Sequence, residues 1–306
     1  MGNHRCFNYF LLMPYFSPIP LFTKYSIETI DFNAKTIQTL KKRLLTELEL
    51  SDTPFLTIDE LTLSKNDILT LVDNLTDEKI VFFKEIDKDP VLLALLKGKP
   101  FRVNEKFNNN PIYVDKKFLS FISPYFSEAY SERISAAFIG QHSNIIEALE
   151  NLPKLYLPEY TEEVYIKLNK TVRQFYFKIL ALTERLNNYE KADTNEIEQH
   201  YCNISIISCI NALPEYFDNQ RDEFAAAYIN LTVPLHNRGN AKFAGEMMVY
   251  SINYLECSTF WREDIANRIH KYYDNILNAT TSDGNLSLSN ILWLLFLLFQ
   301  LLRMCS

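Results

Sequence analysis

Glycine is scarce in this chain. Its 306 residues include only 6 glycines, whereas average usage of about 7% would give roughly 21. Dinucleotide-binding folds and Walker loops need glycines at fixed spacings so that the backbone can approach phosphate groups. The six glycines are scattered without such a spacing. Nucleotide chemistry of the common kinds is therefore disfavoured, and we expect no cofactor.

Clustered positive charge is also lacking. The formal net charge is −7 and the isoelectric point is near 5.4. The densest basic stretch, Lys41–Arg43, lies in a predicted helix that also carries Glu47 and Glu49, which is typical of a solvated helix face. Binding of phosphate backbones depends on clustered Lys and Arg. A nucleic-acid partner is therefore not expected, although an acidic protein can carry a local basic face.

Motifs for metal binding and for nucleophilic catalysis are missing as well. The five cysteines are an odd number and are widely spaced, unlike the dense cysteines of disulfide-stapled secreted domains. No HExxH, CxxC or GxSxG motif is present. We expect no metal site, and the cysteine usage favours a reducing, cytoplasmic compartment.

What the chain does contain favours a helical globule. Hydrophobic residues make up 47% of it and aromatic residues 14%, enough for a sizeable core. Apolar residues recur at steps of three and four between helix start and stop signals. The pattern predicts an all-α fold, either an antiparallel helical bundle or an irregular helical array. One small β-hairpin is expected near the N-terminus, with strands at 55–58 and 61–63 joined by Asp59 and Glu60.

The clearest helical segment runs from Glu162 to Asn188, with apolar residues at steps of three and four along its whole length. Such a continuous seam suits packing in a bundle or a short coiled coil. The segment 116–139 is expected to kink or break before Pro124, because a proline removes a backbone hydrogen bond. Single helices are predicted over 195–213 and 241–256.

Four segments are expected along the chain. They are an irregular, aromatic-rich arm at 1–25, a small helical block with the hairpin at 26–111, an antiparallel helical domain at 112–285, and an apolar C-terminal helix at 286–306. The polar stretch from Lys99 to Pro111 has three consecutive asparagines and two prolines. It is the expected domain boundary.

The C-terminal run Ile291–Leu302 is almost entirely apolar. As a helix it would be about 18 Å long, too short to cross a hydrocarbon core of about 30 Å. A closing helix of the core is the favoured interpretation. The alternatives are insertion into a membrane surface, with a location peripheral to a membrane, or a partner anchor, through Trp293, Phe296 and Phe299.

The function expected from these patterns is non-enzymatic: a scaffold or interaction protein that binds another protein through helical surfaces. Amphipathic rings are favoured at interfaces, which makes a group of tyrosines near the middle of the chain candidate interaction residues. These are Tyr125, Tyr130, Tyr156 and Tyr160.

The alternative is a helical enzyme with a site around residues 236–257. Cys257 would be the nucleophile and His236 the base, with Arg238 beside them. The only reason for this hypothesis is that these residue types occur in one stretch of the sequence. A loop between two helices is the simpler interpretation of residues 236–240.

Overall fold

A computed structural model describes residues 15–282 with gaps at 28–32, 59–60, 101, 103, 189 and 192. The predicted all-α class with one hairpin is confirmed. The α-helices of the described chain are α1 (Ile19–Lys24), α2 (Ala34–Glu49), α3 (Lys65–Asp73), α4 (Asp77–Asp87), α5 (Pro90–Leu96), α6 (Lys116–Ile139), α7 (Ser143–Glu150), α8 (Thr161–Asn187), α9 (Thr194–His200), α10 (Ile204–Asn211), α11 (Asp218–Asn237), α12 (Ala241–Tyr250) and α13 (Thr259–Ser282). Short 3₁₀ helices lie at Pro111–Val114, Pro158–Tyr160, Glu215–Phe217 and Ile252–Tyr254.

The hairpin pairs β1 (Phe55–Ile58) with β2 (Leu61–Ser64) in antiparallel register, Phe55 opposite Ser64 and Ile58 opposite Leu61. Its turn at Asp59 and Glu60 falls outside the described residues. The apolar run 291–302, with Trp293, Phe296 and Phe299, also falls outside them. Within the described chain, no helix is both long enough and apolar enough to cross a membrane.

Side-chain caps fix the starts of the N-terminal helices. Asn33 accepts hydrogen bonds from the first backbone N–H groups of α2. Ser64 and Asp67 form a reciprocal capping box at the start of α3, as the Ser-x-x-Asp sequence favours. Such caps satisfy backbone donors that have no partner within the helix, and each stabilises by about 1 kcal/mol.

The described chain forms two compact units. One comprises the described residues of 1–136 and 148–169, and the other those of 137–147 and 170–282. The stretch Lys99–Pro111 belongs to the first unit, so the division of the chain does not fall at this expected boundary. The buried carboxylate of Asp89 gives a physical reason. It caps α5, and its second oxygen accepts from Asn108 N at 2.6 Å and from the Tyr113 hydroxyl at 2.7 Å, tying this stretch to the preceding helices.

A row of buried serines lies along α6 in the first unit. Its members are four residues apart: Ser123, Ser127, Ser131 and Ser135. Ser123 Oγ accepts from Leu157 N at 2.9 Å, and Ser131 Oγ accepts from Lys167 N at 3.1 Å. Small side chains on this face allow the segment before α8 and α8 itself to approach the α6 backbone closely.

Four local predictions need correction. Helix α6 runs through Pro124, so the break that was one of the two expected outcomes is absent; the Ser123 hydroxyl there donates to Leu119 O at 2.6 Å. The helix predicted at 195–213 is two helices, because Asn203 ends α9 through its amide and caps α10 through its oxygen. Part of the expected irregular arm, residues 19–24, is helix α1. The helix predicted at 241–256 ends at Tyr250.

In the second unit α12 packs against α13 at a single glycine. A Cβ atom on Gly245 would overlap with the ring of Tyr272. The Tyr272 hydroxyl reaches Lys242 O at 3.4 Å. Gly245 therefore sets how closely the two helices approach.

Candidate functional site

The proposed Cys/His/Arg site is not assembled. Ser258 N, next to Cys257, donates to Asp222 Oδ1 at 2.7 Å, near the start of α11. His236 lies in the last turn of that helix, and 14 residues of helix separate it from Asp222 by about 21 Å. Cys257 and His236 therefore belong to opposite ends of α11.

The state of Cys257 also argues against a nucleophile. Burial raises the pKa of its thiol, the Arg262 charge lowers it, and the Asp222 charge raises it again. A raised pKa keeps the thiol protonated, whereas catalytic cysteines need a lowered one. Arg238 donates from Nη2 to Asn187 O at 2.9 Å, and His236 is exposed.

The candidate interaction tyrosines occupy different environments. Tyr130 is fully buried, so it is unavailable to a partner, and the interface prediction is wrong for this residue. Tyr125 is partly exposed and packs on Tyr15 and Phe121. Tyr156 and Tyr160 are partly exposed.

Tyr130 belongs to a closed polar network. Glu150 accepts hydrogen bonds from the hydroxyls of Tyr130 and Tyr165 and forms an ion pair with Lys154 at 3.0 Å. Lys154 Nζ lies 3.2 Å from the Tyr130 hydroxyl and 5.1 Å from the ring centroid. Burial lowers the pKa of Lys154, while Glu150 opposes that shift. The network satisfies its own members, which is what a structural cluster does.

Exposed aromatic rings concentrate elsewhere, in a stretch that includes the end of the helix predicted at 241–256. We call residues 250–261 the aromatic segment. Tyr250, Tyr254 and Phe260 are 48%, 50% and 69% exposed, and the partly exposed Trp261 packs edge-on against Phe260. The segment contains half of the strongly exposed aromatic residues of the described chain, the others being Phe55, Phe177 and Tyr216.

The backbone of the aromatic segment is held by side chains of the neighbouring helices. Asn211 donates from Nδ2 to Tyr254 O at 2.7 Å and accepts from Glu256 N at 2.9 Å. Asp222 accepts from Ser258 N. These bonds fix the irregular connection between α12 and α13 at three points, so its rings project from a preorganised backbone.

Tyrosine hydroxyls gather on one side of this segment. Burial raises the pKa of Tyr273, and the nearby hydroxyls of Tyr250 and Tyr254 raise it further. Burial likewise raises the pKa of Tyr272 to about 12, with Glu246 contributing. The raised pKa values keep the hydroxyls of Tyr272 and Tyr273 protonated at neutral pH.

The surroundings of the aromatic segment are acidic. The stretch 215–223, which Asn211 and Asp222 bring beside it, holds four acidic residues and one arginine. That arginine, Arg221, is engaged with Leu213 O at 2.6 Å and with Asp218. Glu256, within the segment, and Glu263, just after it, are exposed.

No group of three or more His, Cys, Asp or Glu side chains in the described part of the chain could hold a metal ion. The sequence signal for the aromatic segment was present but weak. Four aromatic residues occur within twelve positions, but the sequence alone does not show that they are exposed. Tyr254 lies in the connection after α12, whereas Phe260 and Trp261 lie in the first turn of α13.

Comparisons with protein-family models, with curated proteins and with solved structures find no match to this chain.

Proposed function

We propose that the chain is a non-enzymatic interaction protein that binds another protein through the aromatic segment. The observation that carries this proposal is the exposure of Tyr250, Tyr254 and Phe260 within eleven residues. Exposed aromatic clusters mark interaction sites more often than single exposed apolar residues do.

Preorganisation supports the proposal. Binding costs free energy when loops and side chains must be ordered, and a rigid surface avoids part of that cost. The bonds from Asn211 and Asp222 hold the backbone between α12 and α13. Tyrosine and tryptophan also supply large contact areas with few rotatable bonds.

The described chain offers less support for an enzyme. Asp222, which bonds to the backbone next to Cys257, and His236 are about 21 Å apart along α11. Glu150, Lys154 and Tyr130 do lie together, but they bond to one another.

A capture experiment with matched variants tests the proposal. The tagged protein and its Phe260→Ala, Tyr254→Ala and Phe177→Ala variants are used as baits in extracts of the source cells. Phe177 is 56% exposed and lies on α8, outside the aromatic segment. It is the control for losing an exposed ring.

Truncating a hot-spot residue to alanine weakens binding by 2 kcal/mol or more. The Phe260→Ala bait should therefore retain about 30-fold less of the partner, and the Phe177→Ala bait should retain it as the unmodified protein does. Equal retention by all four baits would contradict the proposal. Circular dichroism of each bait checks that the fold is preserved.

A further inference from the structure

The charge around the aromatic segment indicates what kind of partner it fits. Acidic residues outnumber basic ones both in the neighbouring stretch 215–223, four against one, and within 250–263, two against one. Arg221 is directed to Leu213 O and Asp218. The exposed rings are therefore flanked by negative charge.

Rings and carboxylates together select one class of side chain. A guanidinium group stacks on aromatic faces and also forms two parallel hydrogen bonds to a carboxylate. A cation over an aromatic ring is attracted by the negative face of the ring, and more strongly when it is desolvated. An acidic partner would instead face repulsion from Glu256 and Glu263.

We propose that the aromatic segment binds an arginine-bearing segment of another protein, with guanidinium groups stacked on Tyr254 and Phe260 and paired with Glu256 and Glu263. This inference rests on the proposed function, because it assumes that the aromatic segment is the interaction surface. It adds the chemistry of the partner.

Trp261 provides a local reporter for the test. The chain has 2 tryptophans, Trp261 in the segment and Trp293 outside the described residues. A Trp293→Phe background leaves Trp261 as the only tryptophan, so a change in its fluorescence reports on events at the segment.

The probe is a synthetic peptide of four Gly-Arg-Ser repeats, titrated at about 0.15 M salt, where charges beyond about 8 Å are screened. A matched peptide of four Gly-Glu-Ser repeats is the charge control. The arginine peptide should change Trp261 emission saturably, and the glutamate peptide should not. Absence of saturable binding by the arginine peptide would overturn the proposal.

Variants separate stacking from general attraction. Phe260→Ala should lower the affinity for the arginine peptide about 5-fold, within the range for a cation over a ring, and Phe177→Ala should leave that affinity unchanged. Glu256→Lys should lower the affinity by a similar factor. Glu198→Lys, at an exposed site on α9, should not lower it. Equal losses for Glu256→Lys and Glu198→Lys would show attraction by net charge alone and overturn the proposal.

Further outcomes separate this inference from the proposed function. In the capture experiment, a partner lost with Phe260→Ala but retained with Glu256→Lys would uphold the interaction surface and overturn only its arginine specificity. A partner insensitive to both would overturn the surface itself.

Discussion

The close approach of Gly245 to Tyr272 predicts that Gly245→Ala changes the free energy of unfolding in opposite directions with and without the Tyr272 ring. In the middle of a helix, replacing glycine by alanine normally stabilises by about 1 kcal/mol. Here the new Cβ atom would overlap with the Tyr272 ring, and overpacking costs about 1–3 kcal/mol. Gly245→Ala should therefore destabilise the protein by up to about 2 kcal/mol.

Removing the ring should restore the normal effect. In a Tyr272→Ala background, Gly245→Ala has no ring to displace and should stabilise by about 1 kcal/mol. Tyr272→Phe keeps the ring and is the matched control, so Gly245→Ala should remain destabilising there. Urea unfolding followed by circular dichroism measures all combinations as a double-mutant cycle.

A stabilising effect of Gly245→Ala in the unmodified protein would refute this reasoning. The consequence reaches beyond α12 and α13, because the aromatic segment connects these two helices. A change in how closely they approach should also alter Trp261 fluorescence.

Three other predictions concern particular contacts. Tyr113→Phe removes one hydrogen bond to the buried Asp89 carboxylate and should cost about 1–3 kcal/mol in urea unfolding; no change would contradict the anchoring of residues 108–113. Gln141 has a φ of +56°, which costs an ordinary residue about 1 kcal/mol, so Gln141→Gly should raise the melting temperature. Hydrogen bonds from Lys88 and Asn110 lower the pKa of Glu85. Its stabilisation is present above the unfolded-state pKa and is lost as the pH falls through the lower folded value. Glu85→Gln should therefore destabilise at neutral pH but not in acid, as melting curves against pH will show.

Local signals in the sequence predict much of the helical order. Helix caps form at Asn33 and Ser64, which are residue types that favour capping. The hairpin strands form at the predicted positions. The apolar helix face predicted over 162–188 is also present. Most of its apolar residues are buried on α8, and Phe175 is partly buried. These features depend on interactions between neighbours in sequence, so a single sequence contains them.

Features that depend on distant partners were missed. The sequence gives no sign that the serines of α6 are buried, because their burial depends on hydrogen bonds from the backbone of Leu157 and Lys167. The backbone of the aromatic segment is held by Asn211, which is distant in sequence. The role of the run 291–302 as core helix or anchor stays a prediction, and truncation after Asp283 tests it through loss or retention of stability.

Site-specific photo-crosslinking tests the interaction surface most directly. A benzophenone amino acid replaces Phe260 in one variant and Phe177 in a second, and both are irradiated in extracts of the source cells. The account predicts a discrete adduct at position 260 whose peptide from the partner contains arginine, and no such adduct at position 177. Identical adduct patterns at the two positions, or none at position 260, would contradict it.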